Sequence, residues 1–187
     1  MTLEELNQLP EPAFVQALAH IFEDSPQVAQ AVACQRPFAS LEALHQAMVA
    51  VIQSWSAAEQ LALICAHPDL GARVKMAPAS VAEQAGAGLD RLSPEQFERF
   101  QRLNQTYRAR FGFPYVVCVR QHTQESILRD YEQRIGNHPT QEQARALAEI
   151  AHIAWFRLQA LLPSAPCPPS ASQGTIDPSG EGGGCGD

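Results

Sequence analysis

Only one stretch of this 187-residue chain, "PYVVCV" at residues 114–119, reads as extended backbone, and one short strand has nothing to pair with. A sheet is thereby excluded, and the chain must bury its apolar residues on helices. The spacing agrees. Leu41, Leu44, His45, Met48, Val51, Ile52 and Trp55 recur at three- and four-residue intervals behind Ser40, which can cap the helix. Ser56 and Glu59 have capping-box spacing ahead of "QLALICA". Ser93, with Pro94 first in the helix and Gln96 third, opens a segment whose Phe97, Phe100, Leu103 and Tyr107 share a face. Thr140 with Gln143 opens the longest helix, which runs into Pro163. The expected fold is an all-α, single-domain helical bundle over residues 1–162, with one short extended segment near 114–119. After Leu162 the composition turns to Gly, Pro and Ser, with Ile176 the one large aliphatic residue. Residues 163–187 are therefore expected to form a flexible, disordered tail.

Charge and composition narrow the function. A net charge of −7 argues against nucleic-acid binding through a general phosphate-attracting surface. No apolar run approaches the roughly 20 residues that span a bilayer, so no membrane partner is expected. "MTLEELNQLP" lacks the basic start and apolar stretch of a signal peptide. The five cysteines include no CxxC pair, which fits a reducing, cytoplasmic compartment. Cys65 and Cys118 sit in apolar runs and read as small buried residues. His45 and His152, in apolar helical stretches, read as packed.

Three stretches hold candidate chemistry. In "ICAHPDLGARV", Pro68 disfavours helical geometry at His67, so the helix through Cys65 should end there and leave His67 on a rim. An imidazole titrating near 6.5 can exchange a proton at neutral pH, but a helix-terminal histidine with no chemistry is the plainer alternative. His67 and Asp69 form an HxD pair that no other histidine joins at ligand spacing, so no metal site is expected. In "SVAEQAGAGLD", Ser80 and Glu83 have cap-box spacing, and Gln84 brings an amide donor and acceptor. In "RFGFPYVVCVR", a helix should end at Gly112, and the extended residues beyond it leave backbone groups in need of partners. Those groups can line a pocket for a small amide-rich ligand or serve as a buried connector.

These stretches, in this order, resemble the OHCU decarboxylase family, which acts on 2-oxo-4-hydroxy-4-carboxy-5-ureidoimidazoline (OHCU) in urate breakdown. The resemblance runs through "RPFAS", "AHPDLG", "SVAEQAGAGL", "NQTYRARFGFPY", "RIGN" and "ALAEIAHI" and covers roughly residues 14–158. Gln27 stands where the family has tryptophan, and Tyr115 where it has phenylalanine. The resemblance implies a homodimeric decarboxylase of all-α fold that needs no cofactor and forms (S)-allantoin and CO2. It implies His67 as proton donor and Glu83 as its catalytic partner. Pro68, the segment Ser80, Val81, Ala82, Glu83 and Gln84, and the segment Tyr115, Val116, Val117, Cys118 and Val119 would bind the substrate. Loss of CO2 beside an acyl carbon would leave an enolate, so no pyridoxal or thiamine sink is required. Glu83 would act either by repelling the departing carboxylate or by orienting the substrate hydroxyl, and Arg120 or Arg157 would attract the anion. A non-enzymatic helical interaction module is the competing reading, and it predicts no pocket joining the three stretches. A hydrolase or lyase acting on another ureide is the second alternative.

Overall fold

The computed structural model describes residues 1–71 and 78–163; the expected tail, apart from Pro163, lies outside the described residues. The helices are α1 (Leu3–Gln8), α2 (Glu11–Leu18), α3 (Pro26–Ala33), α4 (Leu41–Ser54), α5 (Ala57–Cys65), α6 (Pro78–Gly86), α7 (Pro94–Phe111), α8 (Gln124–Arg134) and α9 (Pro139–Leu161). Among the described residues there is no strand, so the all-α expectation holds.

Three of the five expected helix starts fall where the side chains put them. Ser40 Oγ accepts from Ala43 N–H at 3.1 Å, and Ser56 with Glu59 and Ser93 with Gln96 close reciprocal boxes. At α9 the cap shifts two residues, from Thr140 to His138, and the helix begins at Pro139. Proline fits the first helical position, where its missing N–H costs nothing, and Gln141 reaches back to His138 N–H at 3.4 Å. α7 ends at Gly112, whose φ of +79° is a conformation that side chains with a Cβ disfavour.

α9 is the spine, with α4 and α5 both packed on it; α3 joins α4, α2 joins α3, and α8 lies on α7. Leu44 and Met48 of α4, Ile150, Ala154 and Leu158 of α9, and Phe100 and Tyr107 of α7 are buried in one core. Each fully buried large aliphatic contributes about 1.5–3 kcal/mol. Among the described residues, no single helix is long and apolar enough to cross a membrane.

The extended segment is shorter than expected. It ends at Cys118, because Val119 begins a 3-10 turn (Val119–Gln121) in which Gln121 N–H donates to Cys118 O. Side chains hold it where strands would otherwise do so. Arg134 Nη1 donates to Val116 O at 2.9 Å, and Glu149 accepts Cys118 N–H at 2.9 Å. The Tyr115 ring stacks on Tyr131 with centroids 3.8 Å apart, and the Arg134 guanidinium lies 4.5 Å from its centroid.

Two residues expected inside lie outside. Cys118 is buried, and burial together with the Glu149 charge pushes its thiol up to about 11; Cys65 is exposed. His45 packs edge-on to Trp155 at 5.3 Å, but His152 is exposed. Both misplaced residues lie one position away from the buried stripe of their helix, beside Ile64 and Ile153 respectively.

Candidate functional site

α5 ends at Cys65 with Ala66 as its cap, as Pro68 requires, and His67 follows. It is not on a rim: only 6% of its surface is accessible. Its Nδ1 lies 2.9 Å from Leu63 O. A carbonyl only accepts, so Nδ1 carries the hydrogen, and the neutral ring keeps its lone pair on Nε2. Burial lowers the His67 pKa below the ordinary histidine value. The Leu63 hydrogen bond and the Glu23 and Glu83 charges oppose that shift, while the Arg157 charge adds to it.

The residues after His67 hold the loop in place. Asp69 turns away to Arg108, 2.9 Å from its Nε, rather than completing a ligand pair. Asn104 Nδ2 donates to Leu70 O at 3.0 Å, and Tyr131 O–H donates to Asn104 Oδ1 at 2.6 Å. Gly71, at φ +67°, donates its N–H to Gln84 Oε1 at 2.9 Å and so joins the loop to α6.

On α6 the cap-box expectation fails. The helix already begins at Pro78, which leaves Ser80 and Glu83 inside it. Their polar atoms are free for tertiary contacts. Ser80, Glu83 and Gln84 face inward at helical spacing, while Val81, 45% accessible, and Ala82 face outward.

The three stretches meet. A recess of about 30 Å³ is lined by His67, Pro68 and Leu70, by Ser80, Glu83 and Gln84, by Tyr115, Val116, Val117 and Val119, and by Ile153. Val81, Ala82 and Cys118, expected among the binding residues, are not in that lining. Among the described residues, no hydrogen-bond partner meets Val117 N–H, Val117 C=O or Val119 N–H. Buried amide groups of this kind at a cavity wall are ready to receive a ligand's donors and acceptors.

Arg157 of α9 organises the charge. Its Nε and Nη2 form a fork on Glu83, at 2.9 Å to each carboxylate oxygen. Nη1 reaches Glu23 Oε2 at 3.0 Å and His20 O at 3.3 Å, and Nη2 also reaches Ser80 Oγ at 3.1 Å. All five N–H donors are engaged, so Arg157 has none left for a substrate anion. Burial opposes its charge, but the hydrogen bonds and charges of Glu83 and Glu23 outweigh that and raise its pKa. Arg120, the other expected attractor, is exposed and lies over Phe156, outside the recess.

Sequence reasoning missed Glu23, Leu70 and Ile153. Glu23 gives no local signal beyond an acidic pair before "SP". Arg157 does give one: it occupies a buried position among Ile150, Ile153, Ala154 and Leu158, where an arginine requires partners.

Residues 7–159 match the protein family described as OHCU decarboxylase. A 2-oxo-4-hydroxy-4-carboxy-5-ureidoimidazoline decarboxylase of Haloferax volcanii is 45% identical over 158 residues, 84% of this chain and 94% of that protein. Its counterpart from Halalkalicoccus jeotgali is 44% identical over 161 residues, 86% of this chain and 92% of that protein. Among solved structures, an (S)-allantoin synthase chain aligns with a TM-score of 0.72 at 30% identity, over 87% of this chain. This chain spans about half, 54%, of that one.

Proposed function

The chain belongs to the OHCU decarboxylase family, and from that premise we propose that its recess binds OHCU and releases CO2 to leave (S)-allantoin. The observation that carries this reading is the convergence of His67, Glu83 and the unpartnered Val117 and Val119 amides on one recess. The interaction-module alternative predicted no such shared cavity.

The substrate supplies its own electron sink. Carboxylate and hydroxyl share ring carbon 4, and an imidazoline holds a C=N bond at the neighbouring carbon, so that bond takes the electron pair rather than a carbonyl. Neutral His67, with its lone pair on Nε2, accepts the hydroxyl proton and returns it to one face of carbon 5. A ring nitrogen takes a second proton from solvent, which balances the carboxylate charge lost as CO2. The proton donor implied by the resemblance is thus first a proton acceptor. Glu83 is bound by Arg157, so its charge is largely compensated. Its remaining lone pairs suit it better to orienting the substrate hydroxyl than to bare repulsion. Pro68, Ser80, Gln84 and Tyr115 complete the walls around the ring.

Two results follow. Glu83→Gln is expected to lower kcat by about 10²-fold with the fold intact, read as CO2 release; undiminished turnover removes the need for its charge. Protonation of Nε2 blocks the first transfer, and burial lowers the His67 pKa. The kcat/KM profile should therefore be level at neutral pH and fall only as pH drops below the ordinary histidine value of about 6.5. The direct test of the whole reading is freshly generated OHCU with protein, followed by circular dichroism for (S)-allantoin in excess of the slow racemic background. The fuller form of this reading is a cytoplasmic homodimer that works without a cofactor. Sedimentation at twice the chain mass and full activity after exhaustive dialysis against chelator test its dimer and metal-free parts.

A further inference from the structure

Glu23 belongs to no motif that suggested the site and does not line the recess, yet its carboxylate holds the same guanidinium as Glu83. It follows α2 in the turn before α3, with its carboxylate buried against α6 and α9. Ser80 O–H is 3.1 Å from both of its oxygens, and Arg157 Nη1 is 3.0 Å from Oε2. The next residue, Asp24, holds φ at +44°, an unfavourable value for a residue with a Cβ. That turn directs the chain from α2 into the Ser25–Pro26 start of α3.

We propose that Glu23 is a positioning residue for the decarboxylation: it braces the Nη1 end of Arg157 so that the Nε–Nη2 edge holds Glu83 at the recess, and it leaves His67 facing two carboxylates against one guanidinium. The inference rests on the decarboxylase reading for its catalytic consequence but not for its electrostatic one. A guanidinium held at one edge alone can swing about its long side chain, and the Glu83 carboxylate would swing with it. Glu23, at 3.0 Å the nearest acceptor to Nη1 and joined there by the His20 carbonyl at 3.3 Å, removes that freedom. The charged groups facing His67 are Glu83 from α6, Arg157 from α9 and Glu23 from the α2–α3 turn; on its own segment Asp69 is tied to Arg108. Glu23 thus supplies the surplus negative charge that an imidazolium formed during turnover would meet. The Glu23 charge raises the His67 pKa against burial.

The test is Glu23→Gln in the full chain, which keeps the side-chain shape and removes the charge. The His67 imidazole is titrated by NMR with nitrogen-labelled histidine and assigned against His67→Asn, and kcat and KM are measured alongside. The expected result is a His67 midpoint lowered by about half a pH unit or more, with kcat down about tenfold and KM within about threefold. A general loss of packing would not move the midpoint in this direction. An unmoved midpoint in the folded variant overturns the proposal whatever the rate does. Should Glu23→Gln fail to fold, Glu23→Asp decides: it keeps the charge but shortens the brace, so a reduced kcat at an unchanged midpoint supports the proposal, and an unchanged kcat overturns it. If the unsubstituted protein does not decarboxylate OHCU, the functional reading fails, while the midpoint shift still judges the brace.

Discussion

His67→Asn is expected to lower decarboxylation by about 10²–10⁴-fold while leaving a folded protein whose residual product is racemic. The asparagine amide can still donate to Leu63 O, the hydrogen bond that the His67 ring makes among the described residues. Its other end holds no base that titrates in the working range, so the hydroxyl proton has no acceptor and carbon 5 no directed donor. Burial holds His67 neutral, so the substitution removes no structural charge and should cost little stability. Three measurements separate the outcomes: urea unfolding for stability, CO2 release for rate, and circular dichroism of the product for its hand. The acid-side fall in kcat/KM should disappear with the imidazole. Full stereospecific turnover by His67→Asn would assign the proton transfers to another group.

The parts of this site that could be read from sequence are those encoded within a few residues. Pro68 told where α5 stops, Gly112 where α7 stops, and the serine caps where three helices begin. The convergence of three separated stretches was legible only through their resemblance to a family, because periodicity does not report which helix faces meet. Ser80 and Glu83 show the limit of local reading. Their spacing equals that of a capping box, but Pro78 opens the helix earlier and turns both side chains to tertiary partners. Glu23 shows a deeper limit: its ion pair with Arg157 spans 134 residues of chain, and nothing near either residue specifies the other. Arg157 looked like a receptor for the substrate anion because its charge is visible in the sequence and the commitment of its five donors is not.

Glu142→Ala is expected to destabilise the protein by about 3–5 kcal/mol, because it leaves a buried guanidinium with Asp130, 3.4 Å away, in place of its closest counter-charge. Glu142 is fully buried in the first turn of α9, where "RIGN" closes around it. Arg134 Nε donates at 2.7 Å to Oε1, Asn137 Nδ2 donates at 2.7 Å to Oε2, and Tyr107 O–H also donates to Oε1. The same Arg134 donates to Val116 O and lies over Tyr115, so the cluster that anchors α9 also fixes the backbone wall of the recess. Stability and site geometry can be separated. The double substitution Arg134→Met with Glu142→Leu removes both charges and fills the space with apolar side chains, an exchange that is often neutral or stabilising. Urea unfolding should therefore show part of the Glu142→Ala loss restored in the double variant, the remainder reflecting Tyr107 O–H and Asn137 Nδ2 without their acceptor and Asp130 without its cation. Val116 O still lacks its donor there, so KM for OHCU should stay severalfold above that of the unsubstituted protein, with the acid-side limb of the pH profile unmoved. If KM recovered together with stability, Arg134 would have no part in shaping the recess beyond keeping the fold closed.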